Sequence, residues 1–407
     1  MSSDEQRRPP DANPAPARPA WLDVFAVFLR LGLTSFGGPI AHLSWFHREF
    51  VVRRRWIDEG AYGELVSLCQ FLPGPASSQV GIALGFQRAG LRGALMAWLG
   101  FTLPSALLMT AFALGLLQLG MTSNSGWLIG LKVFAVAVVA QAVWTMSRAL
   151  CPDATRRAIA IAVAGVLLLA PWPGMQVAAM ALAGLAGYAL LGAARSRPSA
   201  ALRIRVPRRS AALALAACAL LLVVLPLLAR WTQADLLELA SVFYRAGTLV
   251  FGGGHVVLPL LQAEVVPSGW IGNDAFLAGY AAAQVMPGPL FSFAAFLGAA
   301  IPLPGGVAGA VVALLAIFVP AFLLVLGALP FWQGALQRPG LRTAAAGVNA
   351  GVVGVLLAAL VTPVASSAIG SVLDGAIALA AFALLHGARV PVWAVGAGCA
   401  IAGALLH

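Results

Sequence analysis

From residue 21 onward the chain is a nearly unbroken series of apolar stretches, interrupted by short turns that carry Gly, Pro or Arg. Stretches at about 93–118, 127–147, 157–172 and 175–193 read as full membrane spans, since a helix needs roughly 20 apolar residues to cross the hydrocarbon layer. Other stretches are shorter. Tyr62 to Leu72 and Ser77 to Phe86 are each half a span, with Pro73-Gly74-Pro75 between them. Arg53-Arg54-Arg55 precede this pair, and Arg88 and Arg92 follow it. Positive flanks stay on the cytoplasmic side, so two half-length helices between them predict a re-entrant hairpin with its tip near the midplane. Trp21 to Val52 predicts a second re-entrant unit, broken at Phe36-Gly37-Gly38-Pro39.

The same pattern occurs twice. Leu22-Asp23, Phe28, Arg30, Gly32 and Phe36-Gly37-Gly38 recur as Leu237-Glu238, Phe243, Arg245, Gly247 and Phe251-Gly252-Gly253, 215 residues further on. Glu49 recurs as Glu264, and Trp56-Ile57 as Trp270-Ile271. Gln70, Pro73-Gly74-Pro75 and Ser78 recur as Gln284, Pro287-Gly288-Pro289 and Ser292, and Pro104 as Pro320. Duplicated units of this kind build many secondary transporters. The expected organisation is a disordered cytoplasmic tail (1–20), an N-terminal transporter repeat (21–192), a basic cytoplasmic linker (193–210), a connecting transmembrane helix (211–234) and a C-terminal repeat (235–407).

Charge orients the two copies. The tail (Arg7, Arg8, Arg18) and the linker (Arg195, Arg197, Arg203, Arg205, Arg208, Arg209) are both basic and are expected on the inner side. The connecting helix then delivers the second repeat to the opposite face. The flanks of its hairpin, 265–274 and 301–306, carry no Arg or Lys, and 19 of the 24 arginines precede residue 211. The expected fold class is an all-α polytopic membrane protein of two inverted-topology repeats with re-entrant or broken helices. Threading every segment straight through the bilayer is the alternative, and it would place Arg53 to Arg55 outside.

Composition agrees: 61% of the 407 residues are hydrophobic and 10% charged, with mean hydropathy +0.91, which excludes a soluble enzyme. The net charge of +11 could suggest nucleic acid, but the basic clusters lie between apolar spans without interleaved aromatics, so no nucleic-acid partner is expected. Cys69, Cys151, Cys218 and Cys399 are far apart, which points to neither a disulfide framework nor a metal site. No H-E-x-x-H, G-x-S-x-G or paired-aspartate motif stands out, and neither an enzyme nor a cofactor is expected.

The candidate chemistry lies at the breaks. If helices start at Pro75 and Pro289, their free N–H groups and positive dipole ends point into the protein near the midplane and suit an anion. Gln70, Gln284, Ser78 and Ser292 would add donors to the same turns. Gly37, Gly38, Gly252 and Gly253, beside Phe36 and Phe251, would let the backbone approach a ligand, with tight helix packing as the alternative. His255 stands where the first copy has no histidine and is a candidate titratable donor. Arg30 and Arg245 sit in apolar segments, where a guanidinium is costly and usually paired or functional; a fixed guanidinium fork suits tetrahedral oxyanions. Snorkelling is their alternative role, and the one expected for Lys132 and Arg342. Asp23 and Glu238, two turns from the arginines, and Glu64 are weaker candidates for a coupling carboxylate. Glu49 and Glu264 could pair with nearby arginines.

Taken together, Arg30 through Phe36-Gly37-Gly38-Pro39, Trp56-Ile57 and Gln70-Phe71-Leu72-Pro73-Gly74-Pro75, with their second copies, resemble the chromate ion transporter family in its long, two-domain form. The resemblance covers nearly the whole chain beyond residue 20. It implies inner-membrane export of chromate conferring resistance, coupled to the proton-motive force or to exchange with sulfate. The partners it implies are chromate or sulfate as cargo and the lipid bilayer, with a homodimer left open.

Overall fold

The computed structural model describes residues 19–118, 125–170, 174–192, 202, 204, 206–251, 254–302, 304–332, 339–388 and 390–406, without the side chains of residues 39, 40 and 339. The tail, most of the linker and the Gly252-Gly253 pair lie outside this set. Every regular element among the described residues is helical, and five helices are long and apolar enough to cross a membrane. The protein is an all-α polytopic membrane protein.

The breaks fall where glycine and proline demand them. Helix α1 (Ala20–Thr34) ends before Gly37 and Gly38, whose φ angles of +100° and +75° no other residue adopts readily. Helix α2 (Gly38–Phe46) restarts with a proline in its first turn and runs into a π-helical stretch, His47–Arg53. Helix α3 (Glu59–Phe71) is capped by the Asp58 side chain and stops before Pro73. Helix α4 (Ala76–Gln118) is interrupted at Ala89 and Gly90, so a short arm returns from the Pro-Gly-Pro turn before a long arm crosses. Helices α5 (Gly126–Leu150), α6 (Ala154–Leu169) and α7 (Met175–Leu190) complete the first repeat.

The connecting helix α8 (Arg208–Thr232) begins three residues inside the expected linker. It buries only Ala211, Cys218 and Ala229 and leaves Leu213, Leu220, Val223 and Leu227 facing outward, as a lipid-facing helix does. The second repeat follows as α9 (Asp235–Leu249), a single 3-10 turn (Gly254–Val256), α10 (Val257–Val265) and α11 (Asn273–Val285). After Pro289 come a second 3-10 turn (Leu290–Ser292), α12 (Phe293–Ala300) and α13 (Gly306–Ala328). Helix α14 (Pro339–Ala359) continues through a π-helical stretch and a short turn to Ala368. Helices α15 (Val372–His386) and α16 (Val392–Leu406) close the chain. Helices α6 and α7 have 16 residues and α15 and α16 have 15, so each is about 24 Å long or less. The segments expected as full spans at 157–172 and 175–193 are thus shorter than the bilayer core.

Lipid tails are as apolar as the helix faces, so helix association relies on close packing through small residues. Gly32 of α1 lies against the backbone of Gly100 and Phe101 in α4, and its counterpart Gly247 of α9 lies against Ile317 of α13. The ends of the two repeats are exchanged. Helices α6 and α7 pack on α14 of the other repeat, and α15 and α16 pack on α5. Gly187 meets Thr343 and Gly347, and the matching Gly403 meets Gly126 and Gly130. Contacts that swap repeat for repeat in this way are the signature of a two-fold arrangement.

Candidate functional site

Helix α4 begins at Ala76 rather than Pro75: the Pro75 carbonyl accepts from Gln79 N–H (2.9 Å), so the proline caps the helix instead of opening it. Pro289 likewise caps the second turn. At the tips, Gly74 (φ +114°) and Gly288 (φ +103°) take backbone conformations that favour glycine. Each tip docks on the break of the other repeat. Gly74 N–H donates to the Val250 carbonyl (2.6 Å), and Gly288 N–H donates to the Ser35 carbonyl (3.0 Å). Gly74 matches Gly288, and Ser35 matches Val250, so one hydrogen bond is made twice with the repeats exchanged.

Polar side chains line this crossing. Gln79, fully buried, donates from Nε2 to the Pro73 carbonyl (2.7 Å), and its Oε1 has no partner. Ser35 Oγ, Ser78 Oγ and Thr102 Oγ1 are also buried without partners, and Ser292 Oγ donates to the Pro289 carbonyl (2.8 Å). His42, on α2, is 1% exposed. Its Nδ1 lies 3.5 Å from Ser77 Oγ, while its Nε2 has no hydrogen-bond partner. His255 Nδ1 meets the Tyr280 hydroxyl (3.1 Å) and Gln284 Nε2 (3.3 Å). Native structures leave few buried polar atoms unpartnered, and clusters of them mark places where another group belongs.

The two arginines form a second duplicated feature. Arg30 donates to Glu49 (2.6 Å) and Arg245 to Glu264 (2.8 Å), the same pair in each repeat. Half of the Arg30 side chain is exposed, so neither isolated burial nor a free fork describes it. Glu49 also accepts from Arg53 and Arg54, and Arg54 reaches Asp23 (3.2 Å). Arg30 and Asp23, too far apart along α1 to touch, are thus joined through Glu49 and Arg54. Arg245 Nε remains buried without a partner. A third pair is duplicated with altered chemistry: His47 and Glu59 (2.7 Å) in the first repeat become Gln262 and Asn273 (2.5 Å) in the second.

A family model described as "Chromate transporter" matches residues 22–188 and again 237–404. The chain belongs to the chromate transporter family. A chromate transport protein of Pseudomonas aeruginosa is 30% identical over 365 residues, 88% of this chain and 85% of its own length. One of Cupriavidus metallidurans is 28% identical over 363 residues, 88% of this chain and 86% of its own. An uncharacterized transporter of Methanocaldococcus jannaschii is 25% identical over 319 residues, 77% of each chain. No solved structure is a significant match.

In this chromate transporter family member the expected site residues fall into three groups. Gly74, Pro75, Ser78, Gln284, Gly288, Pro289 and Ser292 are buried at the crossing, with Phe36, Gly38, Pro73, His255, Phe251 and Pro287 partly buried and Gly37 exposed beside them. Gln70, expected to mirror Gln284, is exposed, because α3 turns that position outward. Arg30, Arg245 and Asp23 belong to the ion-pair networks, Glu64 lies 3.4 Å from Trp332 Nε1, and Glu238 is exposed in the first turn of α9. Gly252 and Gly253 lie outside the described residues. Lys132, expected to snorkel, is instead 8% exposed and paired with Asp274 of the other repeat (3.0 Å). Sequence reasoning missed His42 and Gln79. Both were visible as polar residues in apolar runs, and for His42 an ionisable side chain at membrane depth was itself the signal.

Proposed function

We propose that this protein is a secondary transporter that exports chromate across the inner membrane by alternating access, lowering cytoplasmic chromate and so conferring resistance. The observation that carries this reading is the reciprocal crossing of the two Pro-Gly-Pro turns, with Gly74 bonded to Val250 and Gly288 to Ser35. The crossing sets two capped helix starts and a cluster of unpartnered polar groups at the junction of two halves that can rock against each other. The cargo is a tetrahedral oxyanion, for which hydroxyl, amide and backbone N–H donors are the matching chemistry. The arginine-rich first half supports a cytoplasmic N-terminus and repeats inverted about an axis in the membrane plane. The coupling is to the proton-motive force or, as an antiporter, to exchange with sulfate.

The test is labelled chromate in cells and in everted vesicles. Cells expressing the protein should accumulate less chromate than empty cells, and everted vesicles should take it up, faster with sulfate inside or with an imposed pH gradient. Equal accumulation with and without the protein would reject the function. Uptake of sulfate with no response to chromate would replace the cargo.

A further inference from the structure

The crossing contains two imidazoles that the duplication did not create. His42 corresponds to Val257 in the second repeat, and His255 to Ile40 in the first. The two unmatched residues nevertheless lie at one junction, since His255 Nε2 is 3.7 Å from the position a Cβ would take on Gly38, at the start of the helix that carries His42.

Each ring is held by its own repeat and leaves one nitrogen uncommitted. His42 is fixed by Ser77 at Nδ1 and by the edge of Phe101, with ring centroids 5.2 Å apart. Its Nε2 is buried without a hydrogen-bond partner. At His255 both the Tyr280 hydroxyl and the Gln284 amide can donate to Nδ1, which leaves the ring proton on Nε2. That nitrogen faces Gly38, where it lies 3.7 Å from the position a Cβ would take. A side chain at residue 38 would fill the space in front of it.

Charge accounts for the rest. Arg30, Arg245 and Lys132 are already matched by Glu49, Glu264 and Asp274. The groups beside His42 are Ser35, which follows α1, and Ser77 and Phe101 from α4, none of them charged. Those beside His255 are Gly38 from α2 and Tyr280 and Gln284 from α11, again none of them a carboxylate, guanidinium or ammonium group. A dianion placed here would be buried among neutral donors, which is costly without a counter-charge.

Building on the oxyanion reading of the crossing, we propose that His42 and His255 hold the transported oxyanion directly, one ring from each repeat, and that each takes up a proton as it binds. Each neutral imidazole gains one proton from the water on the open side and becomes an imidazolium whose N–H donates to an oxyanion oxygen. Two imidazoliums at one junction repel, and a dianion between them cancels both charges. Protonation and anion binding therefore require one another. Affinity rises as pH falls, by up to about tenfold per pH unit for each proton taken up. Because the rings come from different repeats, the loaded site also ties the two halves together.

The experiment uses the purified full chain in detergent, with potassium chromate as the probe at pH 8, where chromate is a dianion in solution, and sulfate as a second probe. Proton uptake on binding is read in weak buffer with a pH indicator. The wild type should take up about one to two protons per oxyanion bound, and its affinity should strengthen from pH 8 to pH 6. His42→Asn and His255→Asn should each lower the uptake by about half and weaken binding by about tenfold or more, and the double variant should abolish uptake. Binding by the wild type without proton uptake and with pH-independent affinity overturns the histidine proposal alone, whether or not the variants fold. Unchanged uptake in the folded double variant also overturns it. No binding of either oxyanion at any pH overturns the oxyanion reading, and this proposal with it.

Discussion

Replacing Gly288 by alanine would probe the reciprocal crossing at a single atom. The residue has φ +103°, and a Cβ there would lie 2.7 Å from Ser105 Oγ, 3.0 Å from Ser105 Cβ and 3.3 Å from the Phe101 carbonyl oxygen. The left-handed backbone costs an L-residue about 1–2 kcal/mol. Overpacking adds about 1–3 kcal/mol, toward the low end if the Ser105 hydroxyl rotates away from its bond to the Thr102 carbonyl. Displacing the turn also weakens the Gly288–Ser35 hydrogen bond, worth about 1 kcal/mol. We expect a total of about 3–6 kcal/mol, toward the lower figure if the hydroxyl rotates away. Gly269→Ala is the control, because Gly269 also has positive φ (+75°) but has nothing within 4 Å of its Cβ position. Only the backbone cost of about 1–2 kcal/mol applies there. Thermal unfolding in detergent, followed by tryptophan fluorescence, should show a larger drop in Tm for Gly288→Ala, and chromate export should fall in that variant and not in the control. Equal Tm shifts, or full export by Gly288→Ala, would refute the argument that the turn is wedged between the repeats.

Two further predictions use the duplication as its own control. Glu49 is 6% exposed beneath three arginines, whereas Glu264 is 42% exposed beside one, so the same substitution should differ between repeats. Glu49→Gln should cost about 2–3 kcal/mol and Glu264→Gln under about 1 kcal/mol, read from unfolding in detergent; equal costs would mean that burial does not set the value of this pair. Gly187→Ala should sharply lower the yield of folded, monodisperse protein, because its Cβ would run into the backbone of Thr343 and Gly347, and Gly115→Ala should leave the yield unchanged, because its Cβ meets nothing. Equal yields would show that the exchanged helix ends are not tightly packed.

Much of the fold was legible because its determinants are local. Apolar run length marked the helices, and Gly37, Gly38, Gly74 and Gly288 with their neighbouring prolines marked the breaks, since backbone preferences act within a few residues. The site was only half legible. The Pro-Gly-Pro turns were legible as helix breaks, whereas the pairing of Arg30 with Glu49 and of Arg245 with Glu264 was not. A buried charge in a sequence states that a partner is needed without naming it.

The sequence alone therefore determined that this is a duplicated, helical membrane protein of the chromate transporter type, with broken helices at matched positions. The tertiary structure decided which pieces meet: the exchange of α6 and α7 for α15 and α16, the crossing of Gly74 and Gly288 onto Val250 and Ser35, and the approach of His255 to Gly38 at the start of the helix that carries His42. The reason is physical. Periodicity and composition say which face of a helix is buried, whereas a contact between residues some 200 positions apart depends on how whole helices pack, and one apolar face resembles another until they are in place.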